Sequence, residues 1–199
     1  MSYKKTIEKL YKILEQELSP DLTYHGIHHT RDVHQVCQFY IKHFDIKKND
    51  GQLLEVAAVG HDIGFTKVYD NHEQASAEIT SAIMNDEGFN KKEIRKVEKM
   101  ILATKIPQNP QTFLSSLLCD ADLDYLGRDD FKKIGDTLKQ EWENYNVFPN
   151  LDQNFDTIQI GFLRGHNYHT EYAQEHRSPV KIAHIDRLEQ EEFDRNPKK

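Results

Sequence analysis

Three short stretches of this chain carry side chains whose types and spacing could do metal chemistry. The first is Tyr24-His25-Gly26-Ile27-His28-His29-Thr30-Arg31-Asp32-Val33. At helical spacing His29 shares a stripe with Val33, Val36, Cys37, Tyr40 and Phe44, so it points inward, and His25 sits one turn earlier on the same face. His28, His34 and His43 fall off that stripe and are expected in solvent. The second stretch runs from Leu53 to Gly64. An apolar segment ends in the adjacent pair His61-Asp62, and Gly60 and Gly64 permit close backbone approach. A buried charged pair there is costly unless it is partnered or metal-bound. The third stretch, Leu117 to Gly127, sets carboxylates into an apolar stripe. Asp122 is flanked by Ala121, Leu123 and Leu126, whereas Asp124 reads as a solvated charge at a helix end.

Each feature alone has a plain structural reading: a hydrogen-bonded core histidine, a His-Asp cap, a surface carboxylate. Together, His29, His61, Asp62 and Asp122 can supply mixed nitrogen and oxygen ligands to one divalent metal ion. Imidazole with carboxylate suits Mn, Fe, Co, Ni or Zn better than Mg. Four protein ligands leave positions for water in an octahedral shell, and such an ion lowers the pKa of water and polarises a phosphoryl oxygen.

The elements that must position these residues read as helix after helix. Ile7, Leu10, Tyr11, Leu14 and Leu18 recur at helical spacing, and Ser19-Pro20-Asp21 ends that stripe. Lys47 to Gly51 is a polar turn. Asn71 with Gln74, and Asn90 with Glu93, have the spacing of capping boxes. Gly88 is a stop for the helix that Asn71 opens. Pro107, Pro110 and Pro149 punctuate loops. Phe113 to Ala121 and Phe131 to Trp142 are further stripes. Ile158, Phe162, Leu163 and Tyr172 suggest another helix, and Ser178-Pro179 starts the last one. No sustained two-residue alternation argues for a sheet. The expectation is an all-α, single-domain helical bundle over residues 1–199, with a metal-site core at about 24–127, C-terminal helices at about 129–194 and a tail at 195–199, fraying from Glu189 onward.

Composition limits the function. The chain has 199 residues, a formal charge of −7 and an apolar fraction of 37%, against roughly 45–50% in average domains. An acidic chain argues against a nucleic-acid partner, which would call for a basic footprint, though a local site can still take a small phosphorylated substrate. No apolar run reaches the roughly 18 residues of a membrane span, and the opening residues lack the form of a signal peptide. Two cysteines, Cys37 and Cys119, are too few for a disulfide scaffold, so a cytoplasmic protein is expected.

The ordered set also resembles the HD-domain superfamily of metal-dependent phosphohydrolases, whose pattern is a lone His, a His-Asp pair and a distant Asp on a helical bundle. The match falls on His29, His61-Asp62 and Asp122, and its span covers about half of the chain. The resemblance implies an HD-domain/phosphodiesterase-like fold and hydrolysis of a phosphate ester or phosphoanhydride, with nucleotides the leading substrate class. In the more distant cyclic-nucleotide phosphodiesterases a His one turn before the first ligand acts as general acid. His25 holds that place, although Gly26 departs from the usual Asn.

Some members of the superfamily bind a second metal through extra histidines. His72 matches the first of these, but Ile101-Leu102-Ala103-Thr104-Lys105 offers no second, so one metal is expected. His72 and Glu73, at a helix N-terminus, are then candidates to position water or an anionic substrate. Lys105, Arg31 and Arg128 are candidate phosphate contacts, the two arginines alternatively pairing with Asp32 and Asp129. His166 and His169 would share an i, i+3 face on a surface helix. Two readings compete with hydrolysis: a nucleotide-binding regulatory module without turnover, and a di-iron oxygenase. The loops Phe65 to Asn71 and Ile106 to Gln111 shape the pocket, and neither is diagnostic of substrate.

Overall fold

The computed structural model describes residues 2–195, and these are all-helical, without a strand among them. Among the described residues ten α-helices run in order: α1 Tyr3–Glu17, α2 Ile27–His43, α3 Lys48–Gly60, α4 His72–Asp86, α5 Lys91–Ala103, α6 Phe113–Asp122, α7 Phe131–Asn144, α8 Leu151–Gly165, α9 Glu171–His176 and α10 Ser178–Arg195. Short 3-10 turns, Ile63–Thr66 and Asp124–Gly127, follow α3 and α6. The chain packs as two units, Met1–Asp122 and Leu123–Lys199.

In the first unit α3 is the central helix. Leu53, Leu54, Val56, Ala57, Ala58 and Val59 are all fully buried, while its polar residues Lys48, Asn49, Asp50, Gln52 and Glu55 are exposed or half-buried. Helices α1, α2, α5 and α6 pack around it, and α4 lies against α5 and the Ile63–Thr66 turn. Leu10 and Leu14 of α1, Val33, Cys37 and Tyr40 of α2, and Leu117 and Leu118 of α6 complete this core. Burying each such side chain contributes about 1.5–3 kcal/mol. The Asn90–Glu93 capping box forms at the start of α5.

The Asn71–Gln74 box does not form. Asn71 takes the left-handed conformation, with φ 56°, and its side chain makes no cap bond. A capping residue needs extended backbone to aim its side chain at the N3 amide, so αL geometry at Asn71 forbids the box despite the right residue types.

The second unit packs α10 against α8, α9 and the Asp124–Gly127 turn, with α7 against α8. Its sequence reading needs three corrections. The helix expected from Ile158 to Tyr172 is two helices, because the chain turns extended at His166 (ψ 137°) and α9 restarts behind Thr170, whose side chain accepts from the Ala173 amide. The fraying expected from Glu189 is not seen through Arg195: α10 continues, tied to α8 by the Thr157–Glu192 and Arg164–Glu189 pairs. The remainder of the expected tail, 196–199, lies outside the described residues. Ser178, expected as the cap of the last helix, is its first residue.

Candidate metal centre

His61 and Asp62 stand where α3 stops. His61 is fully buried and Asp62 nearly so. The close approach of α4 to the turn that follows requires glycine at Gly64, where an added Cβ would lie 2.0 Å from the His72 carbonyl oxygen and 2.9 Å from the Ser76 nitrogen. The Gly64 amide donates to Ser76 Oγ at 2.8 Å. The first turn of α4, which begins at His72, is thereby brought against the residues that follow the His-Asp pair.

The tautomer of His61 is fixed by its own helix. Nδ1 donates to the Ala58 carbonyl at 2.8 Å, and a carbonyl can only accept, so in the neutral ring Nε2 carries a lone pair. That Nε2 lies 3.1 Å from Asp62 Oδ2, 3.4 Å from Asp122 Oδ1 and 3.4 Å from His29 Nε2. His29, stacked on Tyr24 at 4.8 Å, brings its Nε2 to 3.1 Å from Asp122 Oδ1 and 3.5 Å from Asp62 Oδ2. Asp62 Oδ2 is buried and accepts no hydrogen bond. His29, His61 and Asp122 each offer an atom within 4.8 Å of the others, and Asp62 approaches the same two imidazoles.

Such a ring of lone pairs is repulsive unless a proton or a cation occupies it. In the metal-free chain the proton is favoured. Burial alone would push the His61 imidazole down, but Asp62 and Asp122 outweigh it and hold it well above its ordinary value. Burial would raise both carboxyls; the facing imidazoles instead hold Asp62 well below, and Asp122 below, the usual carboxylate range. A divalent ion answers the same field. Two ligands about 2.1 Å from one ion lie about 3.0 Å apart at a right angle and about 3.4 Å apart at the tetrahedral angle. The 3.1–3.5 Å separations here match those spacings, and the donor types suit a transition metal.

Around this cluster the other expected residues take varied places. His72 Nε2 lies 3.4 Å from Asp62 Oδ1 and 3.7 Å from Glu73 Oε1. Burial would lower the His72 pKa, but Asp62 and Glu73 raise it above its ordinary value. Glu73 is 7% exposed, and its Oε2 is buried with no hydrogen-bond partner. His25 stacks on Phe65 at 4.2 Å and Phe65 on His72 at 3.9 Å, with the His25 and His29 ring centres 6.0 Å apart. Lys105 is exposed, and its Nζ donates to Asn71 Oδ1 at 2.8 Å, beside the start of α4.

Several expectations are overturned. Arg31 reaches neither Asp32 nor the cluster but pairs with Glu15 at 3.0 Å. Arg128 pairs with Asp124 and Asp130 rather than Asp129. His166 and His169 share no helical face, because 166–170 is not helical. His34 is half-buried, bonded to Tyr11 Oη at 2.8 Å and 3.4 Å from Glu55.

Asp124 is not solvated. It is 1% exposed, with Arg177 Nε at 2.6 Å from Oδ1 and Arg177 Nη2 at 3.2 Å from Oδ2. The residue that sequence reasoning missed at the cluster is Gln108, whose Nε2 donates to the Cys119 carbonyl at 3.1 Å and to Asp122 Oδ2 at 3.5 Å.

No protein-family model, no curated protein and no solved structure matches the chain.

Proposed function

We propose that this chain is a metal-dependent phosphohydrolase of the HD type, cleaving a phosphate ester or phosphoanhydride in a small molecule, with nucleotides the first class to test. The observation that carries the reading is the His61 tautomer. Nδ1 is committed to Ala58, which leaves Nε2, once deprotonated, to face Asp62 and Asp122 as a ligand at a largely buried site.

The ion would be held by His29, His61, Asp62 and Asp122, and when bound would supply Lewis acidity, polarising a phosphoryl oxygen and easing deprotonation of water. The chain's own groups divide the remaining work. Glu73 Oε2, a buried acceptor with no donor, accepts a hydrogen bond from water and orients it. His72, between Asp62 and Glu73, fixes the direction of both carboxylates. His25, braced on Phe65, hands a proton to the leaving oxygen. Lys105 exchanges its bond with Asn71 for an anionic group of the substrate.

The test is elemental analysis of the chain purified without a metal-chelating tag, beside His61→Ala and Asp62→Ala, followed by a phosphate-release screen over nucleotides. About one equivalent of a transition metal, with metal and turnover both lost in the variants, is expected. Full metal and full turnover in Asp62→Ala would overturn the site assignment. Metal without phosphate release, but with ligand-induced stabilisation, would favour a nucleotide-binding module. Two equivalents of iron with an oxygen-dependent reaction would favour an oxygenase.

A further inference from the structure

The segment between α5 and α6 touches the candidate centre on two sides. Lys105 bonds to Asn71, the residue preceding His72. Three residues later, Gln108 reaches the last turn of α6, where its side-chain amide meets the Cys119 carbonyl and Asp122 Oδ2. Both partners can only accept, so the NH₂ end of the amide must face them.

The segment is braced internally. The Asn109 amide donates to the Ala103 carbonyl at 3.1 Å, and Gln111 Nε2 donates to Asn109 Oδ1 at 2.7 Å. At its end Thr112 and Ser115 exchange backbone-to-hydroxyl bonds, Ser115 N to Thr112 Oγ1 at 3.2 Å and Thr112 N to Ser115 Oγ at 2.9 Å, and so cap α6. Gln108 therefore projects from a fixed support, not from a loose loop.

Its consequence lies in how Asp122 is divided. Oδ1 faces His29 and His61, while Oδ2 receives Gln108. Asp122 is the last residue of α6, and the rotation of its carboxylate is set by what its two oxygens meet. A donor on the far oxygen fixes the carboxylate's rotation and leaves Oδ1 turned toward the imidazoles. Outer partners of this kind orient metal-binding carboxylates, and losing one typically weakens metal affinity about 10- to 100-fold.

We propose that Gln108 is a positioning residue that orients Asp122 for metal binding, and that the α5–α6 segment thereby belongs to the centre. This rests on the reading of the cluster as a metal site. The alternative role is structural, Gln108 doing no more than satisfying the Cys119 carbonyl near the end of α6.

The experiment measures affinity for Mn(II) and Zn(II), separately and by chelator competition, in the full-length wild type, Gln108→Met and Gln108→Asn, beside the melting temperature of each metal-free chain. Gln108→Met keeps the length and removes the donor; Gln108→Asn keeps the amide but withdraws it by one methylene. The expected result is a 10- to 100-fold loss of affinity in Gln108→Met, with metal-free melting close to wild type, and a loss of the same direction in Gln108→Asn. Wild-type affinity in Gln108→Met, with or without a fall in melting temperature, overturns the proposal and leaves only the capping role. If Gln108→Met fails to fold, Gln108→Asn decides by the same criterion. A wild-type chain that binds neither ion overturns the metal-site reading itself, an outcome distinct from a metal-binding wild type with an indifferent variant.

Discussion

A ring with two nitrogens can donate on one side and coordinate on the other only when something fixes its tautomer. For His61 the fixing group is the Ala58 carbonyl, three residues back in the same helix. His29 is legible from sequence because it shares the apolar stripe of α2, and His61 because it ends an apolar segment; periodicity misplaces His34, which it puts in solvent although it is half-buried against Tyr11 and Glu55. Asp122 is legible because apolar neighbours surround it. Asp124, two residues on, reads as surface because its counter-charge, Arg177, is 53 residues away, and no local pattern announces a partner at that distance. Asp124 is buried to 1% exposure between Arg177 and Arg128, so its role is to hold the second unit together. Asp124→Ala takes the carboxylate from Arg177 and leaves Arg128 only Asp130; breaking a buried pair costs about 3 kcal/mol or more, and the partial exposure of both arginines sets the expected loss at about 2–3 kcal/mol. Urea unfolding of the variant should show that loss, with metal content unchanged. A loss under 1 kcal/mol would mean that water replaces the carboxylate.

At the scale of elements, stripes were readable and ends were less so. Helices α1, α2, α3 and α5 each carry an apolar face whose period fixes the inward residues, and Asn90 announces the start of α5 by a box that forms. Asn71 has the same residue types at the same spacing and forms none, because φ 56° aims its side chain away from the helix and toward Lys105. The break at His166 was invisible for a related reason: Ile158, Phe162 and Tyr172 keep a helical spacing across a segment that is extended. The junction from α3 to α4 is the element on which the centre depends, and Gly64 is its tightest point. Gly64→Ala drives a methyl group onto the His72 carbonyl, 2.0 Å from where the Cβ must lie. Backbone, not a flexible side-chain end, is in the way, so the first turn of α4 must move. The expected cost is about 3 kcal/mol, the upper end for overpacking, with displacement of His72 and Glu73 from Asp62. Denaturant midpoint and phosphate release should both fall, and a variant as stable and as active as wild type would show that α4 is not held by this contact.

For the whole molecule, the four proposed ligands come from α2, the end of α3 and the end of α6, all within Met1–Asp122. That assembly could be foreseen in outline, since each stretch reads as buried, but its closeness could not, because it depends on three-dimensional packing around α3. The net charge of −7 does not oppose a cation, and the buried carboxylates favour one. Anything that binds the folded chain and not the unfolded chain stabilises it by mass action, about 2.7 kcal/mol at a free ligand concentration 100 times the dissociation constant. For a chain of this size that is about 5–10 °C in melting temperature. Removing metal with a chelator should therefore lower melting by that amount, and readdition should restore it. In His61→Ala the chelator should make no difference, because the variant has no ion to lose. Identical melting of the wild type with and without bound metal would mean that the unfolded chain binds the ion equally well, and histidines and carboxylates gathered from three helices would then owe nothing to the fold. The packing of Ala58, His61 and Asp62 at the buried C-terminal end of α3 argues for the opposite, since only folding brings Nε2 of His61 to within 3.4 Å of Asp122, 61 residues further along the chain.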